Sequence, residues 1–406
     1  MLPSPLSLPA PPSPPPPAPP QGKKGKKGKK GKKGKKGKKG PKDPTADKSI
    51  EFLYRQLVSE GIVQKVEKHH IKDYEGDFLY LGAAMNKLAD PAQGGDPSRL
   101  PDPSLSQIRN AVTEFCVLPL GSQPVWDYSP LKSVVDGDKY VNKVGTPTLL
   151  SGSPGTGKKM LVHAICNETG ANLFNLTPSN TEGKYPGKKG PGLMIHTVLK
   201  VARALPPSVV WIDDAEKVFG PKQKKGGGGD APGRIMKDLV NLVSHKSDKK
   251  RLLDINDRVL VLGTSSQPYL CEKAKDYNKF KDFFPKILFL PLPDYPSRNI
   301  LWTKALQKGG VAVPNRDDIQ TLSHITKYFS SGSIVNVVSR TLTSRRVERL
   351  SKKPFNTSEL MGQLAKEEPI YAEVDKEMRN WYLKTLDMGP PVEAKPKKEK
   401  GGKKKK

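Results

Sequence analysis

Apolar residues along the middle of the chain come in short runs that alternate with stretches of helical periodicity. The runs predict strands at residues 148–150, 173–176, 209–212, 259–262 and 287–290. The stretches between them predict helices at residues 158–169, 193–205 and 234–245. This alternation is typical of a parallel α/β sheet.

Helical patterns flank the α/β region on both sides. Leu53 and Leu57 recur at helical spacing behind Ser49, a residue type that caps helix N-termini. A second amphipathic helix is predicted at residues 106–116. No strand pattern returns after Asp294, so we expect a small all-α subdomain there. Its predicted helices are at residues 298–306, 319–327, 334–350 and 374–386.

Both ends of the chain have compositions that cannot form a core. Residues 1–20 are nearly all Pro, Leu, Ser and Ala, residues 23–40 repeat KKG six times, and residues 395–406 hold eight lysines and one glutamate. The two basic segments carry most of the formal net charge of +29. Such segments bury too little apolar surface to offset chain entropy, so we expect residues 1–46 and 389–406 to be disordered.

Lysine-rich tails are attracted to any polyanion, whether nucleic acid, an anionic membrane or the acidic surface of a microtubule. Charge alone does not choose among these partners, and a solvated spacer is the other interpretation. The KKG repeat has no aromatic residue on which a base can stack, so we do not expect base-specific nucleic-acid binding. No apolar run is long enough to span a bilayer, so no membrane partner is expected. Three cysteines at unrelated spacings predict neither disulfides nor a zinc site, which favours a reducing compartment.

A glycine-rich loop follows the first predicted strand. Residues 152–158 have the GxxxxGK pattern, and an amphipathic helix is predicted directly after them. In such a loop the glycines let backbone N–H groups point at one phosphate, the helix N-terminus adds positive charge, and Lys158 reaches the terminal phosphates of ATP or ADP. A glycine-rich turn without a ligand is the alternative. The candidate nucleotide-binding residues are Gly152, Ser153, Pro154, Gly155, Thr156, Gly157, Lys158, Lys159 and Met160.

Two carboxylates, Asp213 and Asp214, end the third predicted strand, as in a Walker B motif. In P-loop ATPases the first acid helps to hold Mg²⁺ and the next residue is a glutamate that activates the attacking water. Asp213 is therefore the candidate metal-binding residue. Asp214 is one methylene shorter than glutamate, and misplacement by about 1 Å can cost about 100-fold in rate. Neither acid is assigned a catalytic role.

Lys159 occupies the position where P-loop ATPases carry the Ser or Thr that ligates Mg²⁺. An ammonium group cannot ligate a cation. We consider two outcomes: the ammonium lies near the metal position and pairs with Asp213 or with phosphate, making binding less dependent on Mg²⁺, or it forms an internal salt bridge that blocks the pocket. Nucleotide affinity with EDTA and with excess Mg²⁺ separates them.

Four stretches of the chain carry a family resemblance. They are residues 157–166 (GKKMLVHAIC), 168–176 (ETGANLFNL), 183–188 (GKYPGK) and 284–294 (FPKILFLPLPD). The last is similar to the strand that ends the α/β core in microtubule-severing AAA ATPases. The first three resemble the IQ-and-AAA-domain-containing proteins, the family of subunit 11 of the ciliary nexin-dynein regulatory complex. The IQ segment that the family name implies is not evident.

The resemblance implies an α/β fold: a P-loop AAA core with a parallel sheet and a C-terminal all-α lid subdomain, flanked by a helical N-terminal segment and disordered basic tails. The expected division is residues 1–46 for the Pro-rich and KKG-repeat tail, 47–143 for the helical N-terminal segment, 144–293 for the AAA core, 294–388 for the α-helical lid and 389–406 for the Lys-rich tail.

The resemblance also marks departures from an active AAA ATPase. The polar sensor residue, usually Asn, aligns with Ser266. Arginine fingers are expected just before Phe284, where Asp282 and Phe283 stand, and Lys286 is the nearby base. An arginine finger contributes about 10³ to 10⁵ in rate. Tyr185 matches the aromatic pore loop of AAA hexamers, but without fingers a packing or partner-contact role is favoured.

These observations favour a structural or regulatory subunit of the axonemal nexin-dynein regulatory complex in cilia and flagella. It is expected to bind ATP or ADP with little or no hydrolysis, to dock other subunits of that complex and to contact the doublet microtubule through its Lys-rich tails, binding the acidic tails of tubulin. The alternative is an active AAA ATPase that remodels microtubules or proteins. A nucleic-acid-binding protein anchored by the lysine repeats is a third hypothesis.

Overall fold

The computed structural model describes residues 44–76, 102–128, 147–187, 189–221, 232–243, 253, 257–274, 277–312 and 315–386. The predicted C-terminal tail and most of the N-terminal tail lie outside these ranges. The last three residues of the predicted disordered N-terminal tail, 44–46, are described as a turn. Thr45 is buried there and its carbonyl accepts a hydrogen bond from Lys200, so this end of the segment is ordered.

A six-stranded sheet forms the centre of the described chain, with strand order β1-β3-β4-β5-β2-β6. Strands β2 to β6 are parallel, which confirms the predicted parallel α/β core, and β1 pairs antiparallel with β3. Strand β1 was not predicted, because two residues are too few for a periodic pattern. The strands are β1 (Val63–Gln64), β2 (Thr148–Gly152), β3 (Asn172–Asn175), β4 (Ser208–Ile212), β5 (Val259–Ser265) and β6 (Lys286–Leu290).

Helices before and within the α/β region cover both faces of the sheet. They are α1 (Ile50–Ser59), α2 (Leu105–Val112), α3 (Leu118–Gly121), α4 (Gln123–Tyr128), α5 (Lys158–Thr169), α6 (Pro178–Thr181), α7 (Gly190–Ala204), α8 (Ala215–Phe219), α9 (Met236–Val243) and α10 (Tyr277–Phe283). Ser49 caps α1 by accepting a hydrogen bond from the N–H of Phe52. Helix α2 continues into a π-helical turn at Thr113–Val117.

Two apolar clusters lie on opposite faces of the sheet, because side chains alternate along each strand. Leu53 of α1 packs in one cluster with Val210 of β4, and Ile108 of α2 packs in the other with Val209. Helices α1 and α2 of the predicted N-terminal segment therefore pack on the core of the α/β domain. Among the described helices, none combines the length and apolar character that crossing a bilayer requires.

The chain after β6 forms α11 (Tyr295–Lys308), α12 (Arg316–Ile325), α13 (Ser331–Thr341), α14 (Ser344–Val347), α15 (Ser358–Leu364) and α16 (Ala372–Thr385). Helices α11 to α13 and α15 share a separate apolar core around Trp302, as expected for an all-α lid. The single helix predicted at 334–350 is wrong. The chain breaks after α13, where Thr343 adopts an extended backbone, which a β-branched residue favours over a helix interior.

Helix α16, which we expected to be part of the lid, packs on the α/β core. Trp381 is fully buried in the same cluster as Val210, and its indole N–H donates to the hydroxyl of Tyr277 at 3.1 Å. The ring of Tyr382 stacks on Phe289 of β6. The boundary between core and lid stays a prediction, but the last helix contacts the core.

Candidate nucleotide site

The predicted phosphate loop joins β2 to α5. Its backbone needs two residues in the left-handed region, Gly155 with φ 78° and Gly157 with φ 91°, which explains glycine at both positions. Thr156 braces the turn, because its hydroxyl donates to the carbonyl of Ser153 at 2.9 Å. The first residue of α5 is Lys158, so the loop opens onto a helix N-terminus.

The loop also has no room for side chains at two of its glycines. A Cβ atom at Gly152 would overlap the carbonyl oxygen of Leu290, and one at Gly155 would overlap the hydroxyl of Ser330 in the lid. The lid touches the loop a second time, because the N–H of Gly332 donates to the carbonyl of Gly155 at 2.9 Å. The all-α lid therefore helps to position the loop.

Lys158 is the buried cation of the loop. Its ammonium donates to the carbonyls of Gly152 at 2.7 Å and Ser153 at 2.8 Å, and the residue is only 6% exposed. Burial lowers the pKa of Lys158 to about 8, although Asp213 and Glu216 oppose the shift. The chain thus holds a cationic amine inside the loop at neutral pH.

Asp213 lies at the carboxyl end of β4, as predicted, and is nearly enclosed, with 9% of its side chain exposed. Its Oδ2 atom pairs with the ammonium of Lys159 at 2.6 Å. Its Oδ1 atom accepts a hydrogen bond from the hydroxyl of Thr264 at 2.6 Å, and that hydroxyl accepts one from Trp211 at 3.0 Å. Both oxygens of the candidate metal ligand are therefore engaged by the protein itself.

Asp214 follows with a left-handed backbone, φ 50° and ψ 48°. Aspartate tolerates this region better than most residues, since its short side chain can bond locally. Its carboxylate pairs with Lys217, three residues later, at 2.7 Å. The second Walker B position is therefore held in a local ion pair.

Glu216 is a buried acid that sequence reasoning missed. It accepts a hydrogen bond from Ser265 at 2.6 Å, and burial raises its pKa. The predicted sensor, Ser266, approaches this carboxylate through its backbone N–H. The signal in the sequence was the third acid of the DDAE run at residues 213–216. This acid lies in helix α8, and its side chain faces Ser265 of β5.

Of the residues compared with arginine fingers, Phe283 and Lys286 face the protein interior, whereas Asp282 is exposed. Tyr185, compared with the pore loop, also faces the interior. Phe283 and Phe284 pack edge to face, 4.7 Å between ring centroids, inside the aromatic cluster of the core. The ammonium of Lys286 lies over the ring of Phe115, and burial lowers its pKa to about 8. Tyr185 packs against the same core, and its hydroxyl accepts from Gln56 of α1 at 3.2 Å. This geometry favours the packing role expected for Tyr185.

A cleft of about 580 Å³ lies beside α5, between the N-terminal segment and the lid. Its walls include Met160, Leu301 and Ala305, and its rim carries the acids Asp73 and Glu75. Lys308 pairs with Asp73 at 3.0 Å, and Lys304 pairs with Glu75. A cleft of this size and apolar lining is typical of a small-molecule site.

Tyr74 lies where the loop meets this N-terminal segment. Its ring edge is about 3 Å from where a Cβ of Gly157 would lie, and its buried hydroxyl has no hydrogen-bond partner among the described residues. A buried hydroxyl without a partner costs free energy, about 1–3 kcal/mol. It is therefore a group that a bound ligand or water can satisfy.

The donor set does not fit Mg²⁺. Mg²⁺ requires oxygen ligands in a near-octahedral arrangement, whereas Lys159 offers only N–H donors and Asp213 is already paired. Within the described ranges, no group of three or more His, Cys, Asp or Glu side chains is arranged to hold a metal ion.

Comparison with known proteins shows that the region around this site is similar to a known family. The model of the AAA family, ATPases associated with various cellular activities, matches residues 148–284. Mouse dynein regulatory complex protein 11 is 38% identical over 374 residues, which is 88% of this chain and 40% of that protein. Spastin of Xenopus tropicalis is 29% identical over 187 residues, 46% of this chain and 28% of that protein. The chain spans less than half the length of these relatives.

Solved structures confirm the fold. The FIGL-1 AAA domain in complex with ADP has a TM-score of 0.53 and 18% identity, covering 85% of this chain and 99% of that one. A second structure of the FIGL-1 AAA domain gives a TM-score of 0.54 at 17% identity, covering 86% of this chain and 99% of that one. Both the predicted P-loop fold and the predicted family resemblance are confirmed.

Proposed function

We propose that this chain, a member of the AAA ATPase superfamily, is a structural or regulatory subunit of the axonemal nexin-dynein regulatory complex. In this proposal its AAA module binds ATP or ADP with little or no hydrolysis and docks partner subunits, which helps to regulate ciliary motility. The protein is accordingly expected in the axoneme of cilia and flagella.

The phosphate loop carries the proposal. It has left-handed glycines at 155 and 157, a helix N-terminus behind it and the buried ammonium of Lys158 within it. These are the groups that bind phosphate, through backbone N–H donors, helix dipole and a cation. The candidate residues Gly152 to Met160 are assigned to this role, with the base and ribose in the adjoining cleft lined by Met160 and Leu301.

Weak hydrolysis follows from the neighbouring side chains. Asp214 is paired with Lys217, and Lys159 is paired with Asp213. Lys286, the base near the expected finger position, lies over the ring of Phe115 in its own chain. An enzyme that lacks the activating acid, the metal ligand and the arginine finger together loses most electrostatic stabilisation of phosphoryl transfer. The active severing-type alternative requires all three.

The complex and the localisation rest on similarity. Dynein regulatory complex protein 11 of mouse is similar to 88% of this chain, and on that similarity we assign the chain to the same kind of assembly. The Lys-rich tails, residues 1–46 and 395–406, are proposed to bind the acidic tails of tubulin on the doublet microtubule.

Binding and turnover are tested on the purified full chain. We expect fluorescent ADP and ATP to bind, Lys158→Ala to remove most of that binding, and single-turnover hydrolysis to stay near the uncatalysed rate. Hydrolysis at a normal AAA rate, with basic residues acting across a six-membered ring, would overturn the structural role. If neither ADP nor ATP binds, the nucleotide assignment is overturned.

The microtubule contact needs its own experiment. Cosedimentation of the full chain with microtubules is expected to weaken on removal of residues 1–46 and 395–406, and to weaken equally on enzymatic removal of the tubulin tails. Binding that survives both treatments unchanged would reject the proposed contact. Retention on nucleic acid at physiological salt, lost with the tails while tubulin binding is unchanged, would favour the nucleic-acid hypothesis.

A further inference from the structure

At two positions that hold Mg²⁺ in P-loop ATPases, the residues of this chain contact each other directly. They are the residue after the loop lysine and the Walker B aspartate, here Lys159 and Asp213. The ammonium of Lys159 lies 2.6 Å from Oδ2 of Asp213. We infer that this ammonium replaces the metal, so that the nucleotide site works without Mg²⁺. The inference rests on the proposed nucleotide binding and adds which cation accompanies the phosphates.

Each carboxylate oxygen of Asp213 has a partner within the chain. Lys159 engages one carboxylate oxygen, and the hydroxyl of Thr264 engages the other at 2.6 Å. The backbone N–H of Asp213 donates to Thr177 at 3.1 Å, which fixes the residue from the other side. A dehydrated Mg²⁺ ion would have to break the Lys159 pair and then lie beside an ammonium, where like charges repel.

Lys159 retains capacity for phosphate. Its side chain is 66% exposed, and an ammonium has three N–H donors, of which Asp213 uses one. The chain therefore supplies a second cation beside the polyphosphate, close to the buried ammonium of Lys158. A single charge with rotatable donors replaces a divalent ion with fixed geometry, which suits binding better than phosphoryl transfer.

The exposure of Lys159 also favours the first of the two outcomes considered from sequence, in which the ammonium lies near the metal position without blocking the pocket. A salt bridge that blocked the loop would enclose the ammonium over the glycines. Lys158, not Lys159, donates to the loop carbonyls, and two thirds of the Lys159 side chain faces solvent. The pair therefore lies at the open side of the loop.

The test measures ADP and ATP affinity of the full chain with EDTA and with excess Mg²⁺. For the wild type we expect the two conditions to agree within about twofold, since no metal ligand is formed. Lys159→Thr places a hydroxyl beside an Asp213 that has lost its lysine partner, and we expect Mg²⁺ to tighten nucleotide binding of this variant at least about tenfold.

Lys217→Thr is the matched control, because it makes the same substitution in the neighbouring ion pair at 2.7 Å and on a lysine of similar exposure, 59%. It is expected to keep the wild-type independence from Mg²⁺. A second readout uses Mn²⁺, whose electron paramagnetic resonance signal reports metal bound with nucleotide. We expect Mn²⁺ uptake in Lys159→Thr and none in the wild type or in Lys217→Thr.

The outcomes separate the two proposals. Wild-type affinity that rises about tenfold or more with Mg²⁺, or Lys159→Thr behaving like the wild type, overturns the replacement of the metal but leaves nucleotide binding intact. Binding by Lys159→Thr alone, with none by the wild type, shows that Lys159 blocks the site and overturns the inference. No binding by any variant, with urea midpoints unchanged, overturns the nucleotide function itself.

Discussion

The phosphate loop and the carboxyl end of β4 lie side by side, yet they differ in what they retain of an ATPase. The loop has its glycines, its helix and a buried lysine. The strand end has carboxylates at both expected positions, but each is bound to a lysine of the chain. Lys158 and Lys159 are adjacent in sequence but contact different regions. Lys158 donates to the loop carbonyls, and Lys159 pairs with Asp213, the candidate metal-binding residue.

In the proposed function, binding a phosphate and cleaving it depend on different parts of the chain. Gripping uses backbone N–H groups, which the left-handed glycines aim whatever the neighbouring side chains are. Cleavage needs side chains placed within a fraction of an ångström. The side chains needed for cleavage can therefore be replaced while the phosphate-binding loop keeps its backbone geometry.

Truncating Lys158 is expected to have the largest effect. Lys158→Ala removes a buried cation, and we expect nucleotide affinity to fall by about 2–5 kcal/mol, as for other buried charge pairs. Lys159→Ala is the matched comparison, and as an exposed cation it should cost about 1 kcal/mol or less. Isothermal titration calorimetry measures both. Equal losses would contradict the different roles of the two lysines.

Gly155→Ala comes next and tests the contact of the loop with the lid. A Cβ there would strain a φ of 78° and displace the hydroxyl of Ser330, which caps α13. We expect about 1–2 kcal/mol from the backbone and a further 1–3 kcal/mol from overpacking, measured by urea unfolding. Gly170→Ala is the control, since it has φ 66° and open space around it. Equal effects of the two changes would contradict a stabilising contact between the loop and the lid.

The pH dependence of binding should follow Lys158, whose pKa burial lowers to about 8. Above that pH the amine of the free protein is neutral, and binding must first protonate it, so affinity should fall by up to about tenfold per pH unit. Stability of the nucleotide-free protein should change in the opposite direction. An unfolded lysine keeps its ordinary value of 10.5, so the unfolded state binds more protons between pH 8 and 10.5 and stability rises there. Lys158→Arg, charged throughout, should give a flat affinity profile, and a fall with the wild-type slope would point to another group.

Asp214→Glu should have the smallest effect. The substitution restores the residue type of active AAA ATPases, but the position keeps its left-handed backbone and its neighbour Lys217. We expect the single-turnover hydrolysis rate to stay within about twofold of the wild type, because metal ligand and arginine finger are still missing. A tenfold or greater increase would show that side-chain length alone limits this site.

Much of this protein could be predicted because its signals are local. The five parallel strands, helix α5 and the loop were placed from runs of apolar residues and from glycines at fixed spacing. The departures at Lys159 and Asp214 were also visible in the sequence. What these residues do instead was not, since an ion pair depends on what the fold brings within reach.

The sequence by itself determined the α/β order, the phosphate loop and the residue types at the two Walker B positions, because each depends on neighbours a few residues apart. Only the tertiary structure decided that Asp213 is bound by Lys159 and Thr264. Asp213 and Thr264 are 51 positions apart, and they meet because β4 and β5 pair with Ile212 beside Gly263. The tertiary structure likewise decided that α16 packs on the core and that Glu216 is buried. Long-range contacts of this kind are set by the packing of whole elements, which local periodicity does not encode.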